Sequence, residues 1–350
     1  MIKVEIDLNA LKANLRYIKA KAGVPVLAVV KADAYGHGLI RCAQAAVDAG
    51  ADYLGTATLT EAIALREAGI KAPLLAWLLP PGEDFKRAVQ LDIELGLSSL
   101  AAFDEVNKIP GGKIHLEVES GMGRGGFSNE WPELLNRDLS NVVGIFTHLA
   151  RADEPNEAQN EIQIENFEKF IEDLKARGLN PIRHLSNTAA TLSNSHAKFD
   201  MVRVGIAMYG LSPLGRDENL KPVMSIKSKL VLVKELPKGH PIGYGATEVT
   251  GSDTKIGIVG MGYADGIPRN AKGAGVTFKG EAAPIIGRVS MDQFAVDLGA
   301  NSSAESGDWV TVIGERFDAY EWAKACQTIH YEITTRISQR VPRFYLEDKE

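Results

Sequence analysis

The stretch PVLAVVK, residues 25–31, places six apolar residues directly before a lysine. Seven further apolar runs of strand type follow, at residues 52–58, 73–77, 92–97, 113–120, 142–150, 182–188 and 201–205. Amphipathic stretches such as 59–69 and 157–178, where apolar residues return every three or four positions, lie between them. Strands that alternate with helices predict a parallel sheet, and eight repeats within about 200 residues favour a closed (β/α)8 TIM-like barrel.

An open, doubly wound sheet is the alternative architecture for this pattern. The glycine-rich signature GxGxxG, which marks nucleotide-binding sheets of that kind, does not follow the first run. The chain continues instead as KADAYGHG, residues 31–38. The barrel is therefore the preferred prediction.

The pattern changes after about residue 228, where strand-like runs and turns replace the alternation. We predict an α/β chain in which residues 11–228 form the barrel and residues 229–350 form a mainly β domain. The strand-like residues 1–10 are expected to join the second domain.

Composition limits the classes of partner. The 350 residues are 45% hydrophobic and 24% charged, with a net charge of −6 and no dense block of basic residues, which argues against a nucleic acid or an anionic membrane. No run of 18 apolar residues occurs, and the N-terminus does not resemble a secretory signal. The two cysteines, Cys42 and Cys326, cannot build a disulfide framework or a cysteine-based zinc site. These features predict a cytoplasmic protein without a membrane span that acts on a small molecule.

Polar residues stand where the barrel strands end, which is where parallel barrels carry their reactive groups. They are Lys31, Arg124, His148, Asn187 with Thr188, and Arg203. An amine that follows six apolar residues is partly desolvated, so we expect the pKa of Lys31 to be lowered and the amine to be nucleophilic.

Several motifs occur in a characteristic order: VEIDLNALKANL (4–15), AVVKADAYGHG (28–38), SGMGRGGF (120–127), FTHLARAD (146–153), SNTAA (186–190), VRVGIAMYG (202–210), GYADG (262–266), GRVSMDQ (287–293) and RVPRFY (340–345). In this order the chain resembles the alanine racemase family over nearly its whole length. That family combines a barrel with a C-terminal β domain and uses pyridoxal 5′-phosphate (PLP).

The resemblance implies that Lys31 binds PLP covalently and is the base on one face of the substrate, while Tyr263 is the base on the other. A racemase needs both, since the proton leaves one side of the α-carbon and returns to the other. His148 and Arg203 correspond to the residues that favour the tyrosine anion. Arg203 is also expected to donate to the pyridine nitrogen of PLP.

The remaining assignments also follow from the resemblance. The cofactor phosphate is assigned to Tyr35, Asn187 with Thr188, Gly205, Ile206 and Tyr345. The substrate carboxylate is assigned to Arg124 and the backbone N–H of Met291, with Asp292 as a supporting neighbour. Many family members carry a carbamylated lysine seven residues before this arginine, and here Glu117 is expected to supply that negative charge.

The predicted activity is racemisation of L-alanine to D-alanine for peptidoglycan, by a homodimer in which Tyr263 reaches the PLP of the other subunit. One alternative is a racemase of another small amino acid, such as serine. Another is a non-catalytic PLP-binding barrel protein, a class that usually lacks the second domain and therefore the second base. No metal site is expected, because the spacing of His37, His115, His184, His196, His240 and His330 does not suit one; they are interpreted as surface or packing residues.

Overall fold

The computed structural model describes residues 1–347 and divides into two compact units. The barrel unit comprises Ala10–Ala34 and Leu39–Lys221. The β unit comprises Met1–Asn9, with strand β1 (Ile2–Asp7), then Tyr35–Gly38 and the chain from Pro222 onward. The domain boundary predicted at 228 and 229 falls inside a strand of the β unit that begins at Met224.

Eight strands form the sheet of the barrel unit, and each lies within one of the eight predicted runs. They are β2 (Val26–Val29), β3 (Tyr53–Thr56), β4 (Leu74–Ala76), β5 (Glu94–Leu97), β6 (Ile114–Glu117), β7 (Val142–Phe146), β8 (Ile182–His184) and β9 (Val202–Val204). Every residue of β2, β4 and β5 is buried, as expected for parallel strands covered on both faces.

The sheet closes nearly completely. Its strands are parallel and run in the order β8-β7-β6-β5-β4-β3-β2-β9. Strand β2 pairs with β9 as well as β3, and a parallel bridge between His184 and Met201 links β8 to the start of β9. The predicted TIM-like barrel is therefore confirmed, and the open doubly wound sheet is not.

Helices connect the barrel strands. They are α1 (Leu8–Ala22), the short turn α2 (Lys31–Tyr35), α3 (Leu39–Asp48), α4 (Leu59–Glu67), α5 (Phe85–Gln90), α6 (Leu100–Val106), α7 (Trp131–Leu134), α8 (Ala158–Ala176) and α9 (Thr188–Ser193), with the 3-10 helix η1 (Ile206–Tyr209). Helix α4 begins at a capping box, because Thr58 accepts from the Glu61 N–H while the Glu61 carboxylate accepts from the Thr58 N–H. The other Glu61 oxygen accepts from the Ala32 N–H at 2.6 Å, which ties this cap to the residue after Lys31.

The β unit is built around one long strand. Its strands after β1 are β10 (Met224–Leu236), β11 (Pro241–Ile242), β12 (Glu248–Val249), β13 (Thr254–Val259), β14 (Gly275–Phe278), β15 (Glu281–Pro284), β16 (Phe294–Asp297), β17 (Trp309–Ile313) and β18 (Arg343–Leu346). The helical elements are η2 (Tyr244–Ala246), η3 (Tyr263–Asp265), α10 (Ala319–Cys326) and α11 (His330–Thr335). Strand β10 pairs with β1, β13 and β17, and alternate residues from Met224 to Leu230 are buried in the core.

Strand β1 lies between β10, with which it is antiparallel, and β18, with which it is parallel. Among residues 1–347, no helix has both the length and the apolar character that crossing a membrane requires.

Candidate active site

Lys31 follows the buried Val30, one residue beyond the end of β2, and its ammonium lies 5.9 Å from the centre of the Trp77 ring. Burial lowers the pKa of Lys31, and the positive charges of Arg124 and Arg203 lower it further. The amine is therefore more often neutral and nucleophilic at a given pH than an exposed lysine would be. This agrees with the expectation from the sequence.

The backbone after Lys31 forms a left-handed turn. Ala32, Asp33, Ala34 and Tyr35 have φ values of 53–54°, a conformation that costs roughly 1–2 kcal/mol for each residue with a side chain. Two side chains of the barrel unit hold this turn, because Glu61 accepts from the Ala32 N–H and Asp33 accepts from the Leu39 N–H at 2.8 Å. The strain lies directly beside the reactive amine, as is common at functional sites.

Arg203, in the middle of β9, is only 7% exposed and is held by acceptors from two other strand ends. Its Nη1 donates to the His184 carbonyl at 2.7 Å and contacts His184 Nδ1 at 3.1 Å. Its Nη2 donates to the carbonyls of Thr147 and Leu185 and contacts His148 Nδ1 at 3.2 Å. Within the part of the chain that the structure describes, no acceptor takes the Nε–H of Arg203, so this donor remains for a ligand.

Burial lowers the pKa of His148 to about 3, assisted by the positive charges of Arg203, Arg124 and Lys31. His148 is therefore neutral, and because Arg203 can only donate, Nδ1 of His148 must accept. The proton of His148 is consequently on Nε2, which can donate.

Helix α8 also positions His148. The side-chain nitrogen of the buried Gln163 donates to the His148 carbonyl at 2.9 Å, and its oxygen accepts from the Ala150 N–H at 2.8 Å. The sequence analysis predicted only an amphipathic stretch here, and the glutamates of α8 conceal two buried polar positions, Asn160 and Gln163.

Arg124 lies on a loop that folds around a carboxylate. The two Glu119 oxygens accept from the backbone N–H groups of Gly121, Met122, Gly123 and Arg124 at 2.5–3.1 Å. The sequence analysis did not identify Glu119, although a carboxylate just before a glycine-rich turn is a recognisable partner for consecutive N–H groups.

Glu117 lies beneath the same loop and close to Gly125. If Gly125 were replaced by a residue with a side chain, the new β-carbon would lie 3.5 Å from Oε1 of Glu117. Burial raises the pKa of this carboxyl, while the charges of Arg203 and Arg124 act in the opposite direction.

The predicted phosphate ligands of the barrel unit include one close pair. The Gly205 N–H, just before Ile206, donates to the hydroxyl of Thr188 at 3.1 Å. Asn187 caps α9, because its side-chain oxygen accepts from the Ala190 N–H at 3.0 Å.

The other predicted residues belong to the β unit. Tyr263 and Met291 are 39% and 54% exposed. Their two loops pack together, since Tyr263 N–H donates to the Ser290 carbonyl and a Cβ on Gly262 would be 2.3 Å from the Met291 carbonyl oxygen. Only glycine therefore permits this approach.

Arg340 braces these loops by pairing with Asp265 at 2.7 Å and with Asp292 at 2.6 Å. Asp292 thus has a supporting contact in the β unit. Tyr345 lies against Gly38, because a β-carbon added to this glycine would be only 1.9 Å from the tyrosine hydroxyl oxygen. The centre of the buried Tyr35 ring lies 6.2 Å from the centre of the Tyr331 ring.

The barrel unit therefore combines an amine whose pKa is lowered, an arginine whose Nε–H is accepted by none of the residues 1–347, and a neutral histidine at the carboxyl ends of its strands. Such a set can hold an anionic, electron-poor ring and move a proton beside it. Fold and site define a barrel with a largely buried lysine at a strand end, followed in the chain by a mainly β unit. The family models for the alanine racemase N-terminal and C-terminal domains match residues 6–213 and 223–345. The chain belongs to the alanine racemase family.

Individual relatives agree with this assignment. The alanine racemase of Salinispora tropica is 41% identical over 364 residues, which cover 98% of each chain. The crystal structure of alanine racemase from Streptomyces lavendulae has a TM-score of 0.96 and 41% identity, covering 99% of this chain and 97% of that one. That of alanine racemase from Bartonella henselae, with covalently bound pyridoxal phosphate, has a TM-score of 0.91 and 26% identity, covering 99% of both.

Proposed function

We propose that this chain racemises alanine by moving the α-proton between Lys31 on one face of the substrate and Tyr263 on the other. As a member of the alanine racemase family it is an isomerase that depends on PLP. The observation that carries the assignment of Lys31 is its partly buried amine, whose pKa is lowered at the carboxyl end of the barrel.

Three features of the barrel unit fit the cofactor. Lys31 offers a nucleophilic amine, Arg203 offers an unused Nε–H, and Thr188 and Gly205 place a hydroxyl beside a backbone amide. When bound, PLP withdraws electrons from the α-carbon and so makes its proton removable.

Arg203 would hold the pyridine nitrogen. Burial lowers the pKa of its guanidinium to about 10, which still leaves it protonated at neutral pH. Because the guanidinium gives up no proton, Arg203 would leave the ring nitrogen unprotonated and a weaker electron acceptor than a carboxylate partner would. Arg203 thereby favours return of the proton to carbon over transamination.

The phosphate of PLP is assigned to Tyr35, Asn187, Thr188, Gly205, Ile206 and Tyr345. The hydroxyl of Thr188 can donate to the phosphate while its oxygen accepts from the Gly205 N–H.

Tyr263 and Met291 are proposed to act in the site of a second copy of the chain, in a homodimer with shared active sites. Their exposure on the β unit supports this arrangement, since both side chains are available to a partner. There His148, with its proton on Nε2, and the positive Arg203 would stabilise the phenolate that Tyr263 needs to act as a base.

Arg124 and the Met291 N–H are proposed to bind the substrate carboxylate, with Glu117 holding Arg124 in place. Replacing Glu117 by glutamine is expected to raise KM for alanine by about tenfold, because the arginine loses a charged partner. Initial rates across a range of alanine concentrations measure this change. Glu133→Gln, an exposed carboxylate of the same unit, is the control. Unchanged KM, rate and cofactor binding in Glu117→Gln would remove the proposed role.

The non-catalytic barrel is not favoured, because the chain also matches the family's C-terminal domain, which such barrels usually lack. A racemase of another amino acid is not favoured, because the relatives are named alanine racemases. Chiral chromatography of a panel of amino acids incubated with the PLP-loaded protein tests the substrate directly. We expect alanine to be racemised fastest, and faster turnover of serine would overturn that assignment. A role in supplying D-alanine for peptidoglycan is proposed from the same family membership.

A cytoplasmic location is proposed on the basis of the two cysteines. Cys42 and Cys326 are both buried and form no disulfide with each other, as is usual in proteins of reducing compartments.

A further inference from the structure

A chain of buried side chains runs through the barrel unit to Arg203. From Arg203 Nη1 it passes to His184 Nδ1 at 3.1 Å, from His184 Nε2 to His115 Nδ1 at 2.9 Å, and from His115 Nε2 to Glu94 Oε2 at 2.8 Å. Glu94 is the first residue of β5, so this end of the hydrogen-bonded series lies at the amino end of the barrel. The other end is Arg203, to which the pyridine nitrogen of the cofactor is assigned.

The surroundings of this chain exclude water and restrict movement. His115 and His184 have no exposed surface, and Glu94 is 7% exposed. The Phe146 ring stacks on His184 with centroids 5.0 Å apart and an interplanar angle of 11°. A Cβ on Gly144 would lie 2.0 Å from His115 Nδ1, so the glycine leaves the space that His115 occupies.

The chemistry of the two ends fixes the direction of every hydrogen bond. Arg203 can only donate, so His184 Nδ1 must accept, and the proton of a neutral His184 is then on Nε2. The Nε2–H of His184 donates to His115 Nδ1, so the proton of a neutral His115 is on Nε2. The Nε2–H of His115 donates this last hydrogen bond, and Glu94 Oε2 accepts it.

The neutral state of His184 has a physical cause. Burial lowers its pKa well below the usual range, and the positive charge of Arg203 acts in the same direction.

We propose that Glu94 and His115 are positioning residues, which fix the proton of His184 on Nε2 and thereby hold Arg203 in the orientation that leaves its Nε–H free for the cofactor. If the acceptor at Glu94 is lost, His115 can carry its proton on Nδ1, facing the N–H of His184. His184 Nε2–H then either faces another donor or moves its proton to Nδ1, where it opposes an Arg203 N–H. A carboxylate remote from the reacting atoms thus controls the arginine. The role in turnover rests on the proposed function, whereas the proton positions do not.

The test compares Glu94→Leu, which removes the acceptor, with Glu94→Gln, which keeps a carbonyl oxygen there. Asp92→Asn is the matched control, because Asp92 lies two residues away and shares Lys113 with Glu94, at 2.8 Å and 3.9 Å, but accepts no hydrogen bond from His115. The first readout is the one-bond ¹H–¹⁵N spectrum of the holoenzyme with its seven histidines labelled. Signals are assigned by substituting His115 and His184 in turn.

We expect Nε2–H signals for both histidines in the parent protein, in Glu94→Gln and in Asp92→Asn. In Glu94→Leu these signals should be lost or replaced by Nδ1–H signals. The second readout is kinetic: kcat of Glu94→Leu should fall roughly tenfold to a hundredfold with KM for alanine little changed, and Glu94→Gln should recover most of it.

Folded Glu94→Leu protein that keeps both the parental Nε2–H signals and the parental kcat would overturn the proposal. If Glu94→Leu does not fold, Glu94→Gln decides, since Nδ1–H signals at an unchanged kcat would show that the proton positions do not govern Arg203. A parent protein with the expected histidine signals but no racemase activity would count against the proposed function and not against the proton order.

Discussion

Alanine in place of Lys31 is expected to lower racemase turnover at least about 10⁴-fold. The substitution removes the amine that is proposed to bind PLP and the base proposed for one face of the substrate, so two contributions are lost together. Chiral chromatography measures the turnover, and the visible absorption of covalently held PLP measures attachment. Both the turnover and the absorption of covalently held PLP should be lost.

Lys175→Ala is the matched control, because Lys175 is an exposed lysine in the last turn of α8. It should retain parental absorption and turnover. The assignment would be wrong if Lys31→Ala kept covalently bound cofactor with turnover within tenfold of the parent.

A pH titration tests the environment of the same amine. Since burial and the charges of Arg124 and Arg203 lower the pKa of Lys31, its neutral form should appear at a lower pH than that of an exposed lysine. Covalent attachment of PLP to the cofactor-free protein should therefore rise with pH, with a midpoint below the ordinary lysine value. A midpoint at or above that value would contradict the burial argument.

The barrel strands were predictable because parallel strands covered on both faces appear as continuous apolar runs. β2 and β5 consist wholly of buried residues, and their flanking turns mark their ends. Lys31 stood out for the same reason, since a cation directly after such a run is conspicuous. The family motifs then supplied roles that no single run could indicate.

The left-handed turn at Ala32–Tyr35 could not be predicted locally, because none of its residues is a glycine. Its conformation is held by Glu61, which accepts from the Ala32 N–H at its start, and by Asp33, which accepts from the N–H of Leu39, four residues after its end.

The histidines illustrate a second limit of the sequence. His115 and His184 were interpreted as surface or packing residues, and both are buried, yet each also forms two hydrogen bonds to other buried polar groups. Their strands, β6 and β8, are separated by β7 in the sheet, where Gly144 leaves the space that lets His115 Nδ1 approach His184 Nε2 to 2.9 Å. No spacing in the chain encodes that contact.

Phenylalanine in place of Tyr263 is expected to reduce racemisation by about 10²- to 10⁴-fold while preserving a one-sided reaction. Lys31 remains able to exchange the α-proton of one enantiomer with solvent, but no group returns a proton to the opposite face. In deuterated water, mass spectrometry should therefore find deuterium in one enantiomer of alanine without inversion. Tyr244→Phe, which changes a 68% exposed tyrosine in another 3-10 turn of the β unit, should behave as the parent. Parental racemisation of both enantiomers by Tyr263→Phe would eliminate the second base.

Mixing the two inactive variants separates a shared site from one built within a single chain. If Tyr263 serves the site of the other subunit, a heterodimer of Lys31→Ala and Tyr263→Phe contains one site with both native residues and one with neither. Equal amounts that exchange subunits at random form half heterodimers, so about a quarter of parental activity should return. If both residues instead serve the site of their own chain, every site in the mixture lacks one base and activity stays at the level of the separate variants. Recovery near a quarter, appearing only after subunit exchange, therefore supports the homodimer and both catalytic assignments together, because no other pairing of these substitutions regenerates an intact site.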